Sequence, residues 1–450
     1  MKLESLTLKN FMRFKELQLD FHYTVTESTA PIVFIGNNGA GKTSILESIV
    51  LGLSWLNARI LKEKGRGAEI QQLEINNEAD GAGVELSVCH KGFYHTWQIA
   101  KSRKGKKSEL TSALVGVSSL ADQIRTVYTE SPESANLPLM AYYSTERVVL
   151  DIPLKIRTRH TFTQIDGYDG ALSSGVNFRR FFEWYRERED KENETAPSQQ
   201  MLEYLKSLTW EDESQWEHVQ ERLLSQKDRQ LNAVRAAIEV FMGDFKNLRI
   251  KRQPVRMLVD KGGQELNVNQ LSQGEKSLMA LVGDISRRLS MMNPSLENPL
   301  HGEGIILIDE VDLHLHPRWQ QTVLENLSKT FPNIQFIVTT HSPQVLSTTR
   351  SDLLYILDDG AVFAASSYTR GLDSATVLAE TMGVNPLPMN LEINQEYLRL
   401  VDLVEADTVR AKQEVELFGS EYGVTHPSHL DLQRRLRLVG YKQRLAQHKG

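Results

Sequence analysis

Cysteine is almost missing from these 450 residues, since Cys89 stands alone. That excludes a disulfide framework within the chain and a cysteine-built zinc site supplied by one copy. There is no excess of positive charge either. Lys and Arg number 52 against 58 Asp and Glu, for a net charge of −6, so a uniformly basic nucleic-acid binder is excluded. Any contact with DNA needs a local basic patch. No stretch approaches about 18 uninterrupted apolar residues, as a membrane span requires. The opening MKLESLTLKNF lacks an apolar core of signal-peptide length. The expectation is a cytoplasmic protein with no membrane segment. What the chain does have is material for a core: 40 % apolar and 24 % charged residues, the balance of a globular protein. At roughly 100–200 residues per domain, its length suggests two or three units.

Residues 3–8 alternate, with Leu3, Ser5 and Thr7 against Glu4, Leu6 and Leu8, and read as a first strand. A second alternating run follows from Leu17 to Phe21. PIVFIG (Pro31–Gly36) is a β-branched apolar strand feeding a glycine-rich loop. From Lys42 onward, Ile45, Leu46, Ile49, Leu53 and Leu56 recur at helical spacing. Strand signals return over Gly83–Ala100, with the basic KSRKGKK (Lys101–Lys107) read as the tip of that stretch, and again at Leu137–Tyr143. Phe181–Phe245 is charged and helical in period, broken by the polar KENETAPSQQ, and reads as a helical insertion. Strands resume at Leu248–Ile250, Val255–Val259, Gly304–Ile308 and Ile334–Thr340, with a helix starting near Gly274. From Ser374 the chain reads as helices.

Four strings carry chemistry. GNNGAGKT (Gly36, Asn37, Asn38, Gly39, Ala40, Gly41, Lys42, Thr43), continued by Ser44, fits G-x-x-x-x-G-K-[ST] with a strand before it and a helix after it. Its backbone N–H groups and helix N-terminus suit phosphates, Lys42 suits the β/γ-phosphates of ATP, and the Thr43 hydroxyl suits Mg²⁺. GIILIDE then ends an apolar strand in Asp309, placed to hold Mg²⁺, and Glu310, placed to polarise an attacking water. These acids lie more than half the chain beyond the P-loop, so a nucleotide fold that joins them is split by an insertion. LSQGEKS (Leu271–Ser277) precedes the acidic strand and TTHSP (Thr339–Pro343) follows it.

In this order the strings resemble the ABC-type ATPase heads of the SMC and RecF group. The resemblance implies an α/β fold: a P-loop NTPase, an ABC-type split head with a helical insertion and a C-terminal helical tail. It divides the chain into lobe I (1–150), the insertion (151–250), lobe II (251–370) and an assembly or partner-docking region (371–450). It also implies that Ser272 and Gly274 contact the γ-phosphate held by the other subunit of a homodimer, and that His341 senses that phosphate. Helix-terminal N–H groups beside Ser272 fit such a contact. Arg13, in the opening LTLKNFMRFKELQLDF, falls near the nucleotide in such heads. YYSTER (Tyr142–Arg147) sits where the strand hands over to the helical lobe, and Arg147 suits either a phosphate or a structural ion pair. The signature reads LSQGE rather than LSGGQ, and DEVDLHLHP replaces a transporter-like loop, which argues against a membrane-transport motor.

The segment SYTRGLDSATVLAETMGV (Ser367–Val384) and the tail after it are similar to the Septu anti-phage ATPases of PtuA type. That likeness implies a defence ATPase, a higher homo-oligomer and an HNH nuclease as partner. The residues after His341 read as helical in period without a clear E…D-x-D constellation, so the chain itself is expected not to cut DNA. A RecF-like repair clamp on DNA is the alternative. In the tail, Tyr397, Leu400, Val401, Val404, Val415 and Phe418 form an apolar stripe that needs cover from the head or a partner. Residues 391–424 hold eight acids and three Lys or Arg, whereas 425–450 hold one acid and six Lys or Arg. KSRKGKK is either a solvated hairpin tip or a DNA-backbone contact.

Overall fold

In a computed structural model that describes residues 1–21, 30–146, 162–173, 178–195, 228–365 and 369–447, the opening alternation becomes strand β1 (Lys2–Phe11). It pairs antiparallel with β2 (Phe14–Asp20) and with β4 (Gly81–His90). The strict alternation expected for residues 3–8 does not hold. A register shift between Leu3 and Ser5 inserts a residue, so Leu3 comes round to the same buried side as Leu6 and Leu8. Strand β5 (Phe93–Ser102) completes a four-stranded sheet of order β2-β1-β4-β5.

The β4–β5 hairpin turns at Lys91–Gly92, which corrects the reading of KSRKGKK as its tip. That segment begins at the far end of β5, where Lys101 pairs with Ala82 and Ser102 with Gly81.

A second sheet has the order β13-β12-β3-β11-β10-β6. Its strands are β3 (Ile32–Gly36), β6 (Leu139–Tyr143), β10 (Gly304–Ile308), β11 (Ile334–Thr339), β12 (Leu354–Asp358) and β13 (Ala361–Ala364). All are parallel except β13, which returns antiparallel on β12. The runs GIILI and IQFIVT are buried at every residue, as expected of parallel strands covered on both faces. Helix α1 (Lys42–Leu61) packs between the two sheets, against β4 and β5 on one side and β3, β6 and β11 on the other. By length and composition it could cross a membrane, yet Ile45, Leu46, Ile49, Leu53 and Leu56 are fully buried within the protein. Each such burial contributes about 1.5–3 kcal/mol.

Helix α2 (Val115–Glu130) packs on α1 and β5. Helices α3 (Phe178–Thr195) and α4 (Arg229–Met242) fall in the expected insertion; its residues 151–161, 174–177 and 196–227, and Arg147 before it, lie outside the described residues. A meander of β7 (Phe245–Arg252), β8 (Val255–Lys261) and β9 (Gln264–Asn267) leads into helix α5 (Gln273–Met292). From Leu278 to Met292 every residue of α5 is buried. The short helices α6 (Pro317–Gln320), α7 (Val323–Thr330) and α8 (Pro343–Leu346) flank β11.

All of these elements belong to one compact unit, Met1–Leu372, and Asp373–Gly450 forms another. The second holds α9 (Ser374–Glu380), α10 (Glu392–Ala406), α11 (Thr408–Tyr422) and α12 (Pro427–Gln447). Its core is Leu400, Val404, Ala411, Val415, Phe418 and Leu432, with Tyr397 and Val401 packed alongside. The apolar stripe is thus buried among the tail's own helices, a third cover beside the two the sequence offered.

His90, at the end of β4, is 8 % exposed, and burial pushes its imidazole down to about 4. The unfolded chain takes up this proton near pH 6.5. Stability is therefore complete above pH 6.5 and declines as the pH falls from there towards 4. Thermal melts should show a lower Tm at about pH 5 than at about pH 7, and a smaller drop in His90→Gln. An equal drop in that variant would move the acid sensitivity elsewhere.

Candidate functional site

The P-loop leaves β3 and enters α1 through Gly41, whose φ of 106° is left-handed. A Cβ there would lie 2.6 Å from the Phe14 ring, so only glycine lets the β1–β2 turn close over the loop. Inside the loop Lys42 is 7 % exposed, and its Nζ donates to the carbonyls of Gly36 at 2.8 Å and Asn37 at 3.1 Å. Burial lowers its pKa against the opposing pull of Asp309 and Glu310. Arg13 reaches in from the β1–β2 turn to donate to the Gly39 carbonyl, 3.4 Å from Asp359 on its other side.

The sheet order brings the acidic pair to this loop. Strand β11 lies between β3 and β10, so Asp309 must reach across it. The Thr43 hydroxyl donates to Asp309 Oδ2 at 2.9 Å, and the Thr339 hydroxyl to Asp309 Oδ1 at 2.5 Å. Thr339 Oγ1 also accepts the Glu310 N–H at 2.7 Å. Glu310 has φ 47°, a left-handed conformation costing about 1–2 kcal/mol in a residue with a side chain. Its neighbours hold it there: the Val311 N–H donates to the Thr339 carbonyl and the Leu313 N–H to the Glu310 carbonyl. Thr339 is a site residue that sequence reasoning missed. Its signal was its place at the end of an apolar parallel strand, in the TTHSP string.

A cleft of about 510 Å³ results. Asn38, Gly39, Gly41, Lys42, Thr43, Ser44, Asp309, Glu310 and His341 line it, with Met12 and Arg13 from the opening hairpin. Gly36, Asn37 and Ala40 shape the loop from behind. Burial and Lys42 lower the His341 pKa, although Glu310, Asp312 and Asp309 pull it up. A hydroxyl and a carboxylate side by side are the hard oxygen donors that Mg²⁺ prefers, completed by water and substrate phosphate. The donor set fits that ion.

Ser272 and Gly274 do not line this cleft. Ser272 is exposed and caps α5: its hydroxyl meets the Glu275 N–H, and Glu275 Oε2 accepts the Ser272 N–H at 2.8 Å. This reciprocal box gives the glutamate of LSQGE a local reason, and Lys261 ion-pairs with it. At Gly274 a Cβ would lie 2.2 Å from the His314 carbonyl oxygen. The start of α5 therefore presses on the loop that follows Glu310.

The basic KSRKGKK is largely engaged at home. Arg103 donates to the carbonyls of Ala79, Ile75 and Asn76, Lys101 pairs with Glu69 at 2.6 Å, and Lys106 with Asp80 at 3.6 Å.

A phosphate-cradling loop between strand and helix, met by an acidic pair at the end of a parallel strand of the same sheet, defines a P-loop ATPase. Comparison with known proteins gives the same class. A family model described as AAA domain matches residues 5–246, and one described as AAA ATPase domain matches residues 163–346. The Retron Ec83 probable ATPase of Escherichia coli is 32 % identical over 439 residues, 89 % of this chain and 80 % of that protein. The Retron Vc95 probable ATPase of Vibrio cholerae is 33 % identical over 458 residues, 95 % and 87 %. The Septu protein PtuA of Bacillus mycoides is 25 % identical over 343 residues, 76 % of this chain but 38 % of that protein. Among solved structures, the SMC head domain from Thermotoga maritima aligns at 16 % identity and a TM-score of 0.43, over 82 % of this chain and 100 % of that one. The chain belongs to the family of AAA ATPases that includes these retron proteins, and its fold is the α/β P-loop NTPase head expected from the sequence.

Proposed function

We propose that this protein is the ATP-binding and ATP-hydrolysing subunit of an anti-phage defence complex, a dimeric switch that holds and controls a partner HNH nuclease. The observation that carries the reading is the array Thr43–Asp309–Thr339–Glu310 at the mouth of the P-loop, in a chain akin to retron ATPases over most of its length. Gly36–Ser44 cradle the phosphates, with Lys42 at the β/γ-phosphates. Thr43 and Asp309 hold Mg²⁺, which when bound neutralises phosphate charge. Glu310 accepts a proton from the attacking water, and His341 senses the γ-phosphate. Ser272 and Gly274 act on the nucleotide of the other subunit.

In this reading 1–150 and 251–370 are the two lobes, 151–250 the insertion and 371–450 the assembly and docking region of a cytoplasmic, higher homo-oligomer. With the apolar stripe buried internally, docking falls to outward residues such as Arg434, Arg437, Leu438 and Tyr441 on α12, all exposed. The RecF-like clamp loses support from KSRKGKK, where Lys101, Arg103 and Lys106 are engaged within the chain.

The test is phage challenge of cells carrying this gene with its neighbours. Lys42→Ala should restore plaque formation to the level of cells without the system, and the purified chain alone should leave plasmid DNA intact. Full protection by Lys42→Ala, or plasmid degradation by the chain alone, overturns the reading.

A further inference from the structure

Half-way along α5, Asp284 is 1 % exposed and lies between two guanidiniums that are themselves buried, Arg287 (1 %) and Arg288 (3 %). Arg287 donates to Asp284 Oδ1 at 2.7 Å and Arg288 to Oδ2 at 2.7 Å. Arg288 also donates to the carbonyls of Gly167 at 2.6 Å and Asp169 at 3.0 Å. A fourth group joins from the sheet: the Tyr143 hydroxyl, on β6, donates to Asp284 Oδ2 at 3.0 Å. Burial, aided by Asp284, raises the tyrosine's pKa well above its ordinary value, so the phenol stays a donor. Two arginines sharing one carboxylate leave excess positive charge in the interior. Apolar packing of the same volume commonly serves stability as well or better, so stability alone does not account for the cluster.

Its position suggests another role. The Tyr143 carbonyl accepts the Asp309 N–H at 2.8 Å, and the Asp309 carboxylate meets Thr43 and Thr339. From α5 to the P-loop there is thus a short path, Asp284 to Tyr143 to Asp309 to Thr43, buried as far as Asp309. The N-terminus of the same helix carries Ser272 and presses Gly274 against the loop after Glu310. Helix α5 is tied to the acidic strand end at two points.

We propose that Tyr143 is a positioning residue that relays the state of the Ser272 end of α5 to Asp309, through its hydroxyl bond to Asp284 and its carbonyl bond to the Asp309 N–H. This deepens the proposed function and rests on its assignment of Ser272 as a phosphate contact. Tyr143→Phe keeps the ring and leaves Asp284 Oδ2 with Arg288, so the fold is retained and the relay is cut.

The experiment is a double-mutant cycle on ATPase turnover with the full chain, combining Tyr143→Phe with Ser272→Ala, and ATP affinity and Tm measured beside it. Tyr143→Phe should lower kcat about tenfold, equivalent to about 1.4 kcal/mol, with ATP affinity within about twofold of wild type. The double variant should be no slower than the slower single one, because both changes break one path. Arg288→Lys disturbs the cluster but leaves the Tyr143–Asp284 and Tyr143–Asp309 bonds in place, and its effect should simply multiply with that of Ser272→Ala. If Tyr143→Phe and Ser272→Ala multiply as well, or if Tyr143→Phe leaves kcat unchanged, the relay is wrong while the Ser272 assignment stands. If Ser272→Ala alone leaves kcat unchanged, that assignment fails and the relay fails with it. Should Tyr143→Phe lower Tm and kcat together, the cluster is structural only.

Discussion

Glu310→Gln is expected to remove turnover and leave ATP bound. The amide has the size of the carboxylate but cannot take a proton from water, and loss of a positioned general base typically costs 10²–10⁴-fold in rate, about 3–5 kcal/mol at the transition state. Binding should survive because the groups that shape the pocket do not depend on that charge. The Glu310 backbone is held by Thr339 and by the turn to Leu313, and Thr43 meets Asp309 rather than Glu310. Steady-state phosphate release together with equilibrium ATP binding decides the matter. A variant that has lost ATP affinity with its fold intact would make Glu310 a binding or structural group. One that still turns over normally would place the base elsewhere.

The parts of this site that could be read from the sequence are those whose chemistry is local. GNNGAGKT works through consecutive backbone N–H groups and a helix start, so the eight letters carry nearly all of the geometry. GIILIDE is similar: a buried strand must end, and two acids at its end face the loops. Thr339 was hidden because its role depends on strand order. Only with β11 between β3 and β10 does its hydroxyl bridge Asp309 and the Glu310 N–H, and nothing in TTHSP states which strands are neighbours. Tyr143 and Asp284 were hidden for the same reason, being far apart in sequence and joined by tertiary packing alone.

Other misses have local causes that a closer reading could have used. Helix α2 shows Val117, Leu120, Ala121 and Ile124 at helical spacing, but its Ser, Thr and Gly residues dilute the pattern. The bulge in β1 is marked by the spacing of Leu3, Leu6 and Leu8, three residues and then two, since one inserted residue shifts the phase without changing the composition. In the tail the periodicity was legible and its cover was not. An amphipathic stripe states that it must be buried, never against what, and three helices of one short segment proved sufficient to cover it.

Mixing two inactive variants tests the shared-site arrangement most directly. In the cleft of one chain the P-loop, Asp309, Glu310 and His341 converge, and Ser272 is absent from its lining. Ser272 is exposed at the N-terminus of a 20-residue helix, where N–H groups and the helix dipole favour an anion. If that anion is the γ-phosphate of the neighbouring subunit, two-fold symmetry makes two composite sites, each with a P-loop from one chain and a Ser272 from the other. Lys42→Ala then disables both sites of its own dimer, and so does Ser272→Arg, which places a bulky cation where the phosphate contact should form. The loss of the Ser272 cap costs about 1 kcal/mol, too little to unfold the chain. In a dimer of one Lys42→Ala and one Ser272→Arg chain, both lesions fall in the same site and the other is intact. When equal amounts exchange freely, about half of the dimers are mixed and each has one working site of two. ATPase activity should therefore rise from near zero to about a quarter of the wild-type rate. Activity that stays near zero, with subunit exchange verified by size or by a tag, means that each chain completes its own site. A Ser272→Arg protein that hydrolyses ATP at the full rate by itself removes Ser272 from the nucleotide altogether.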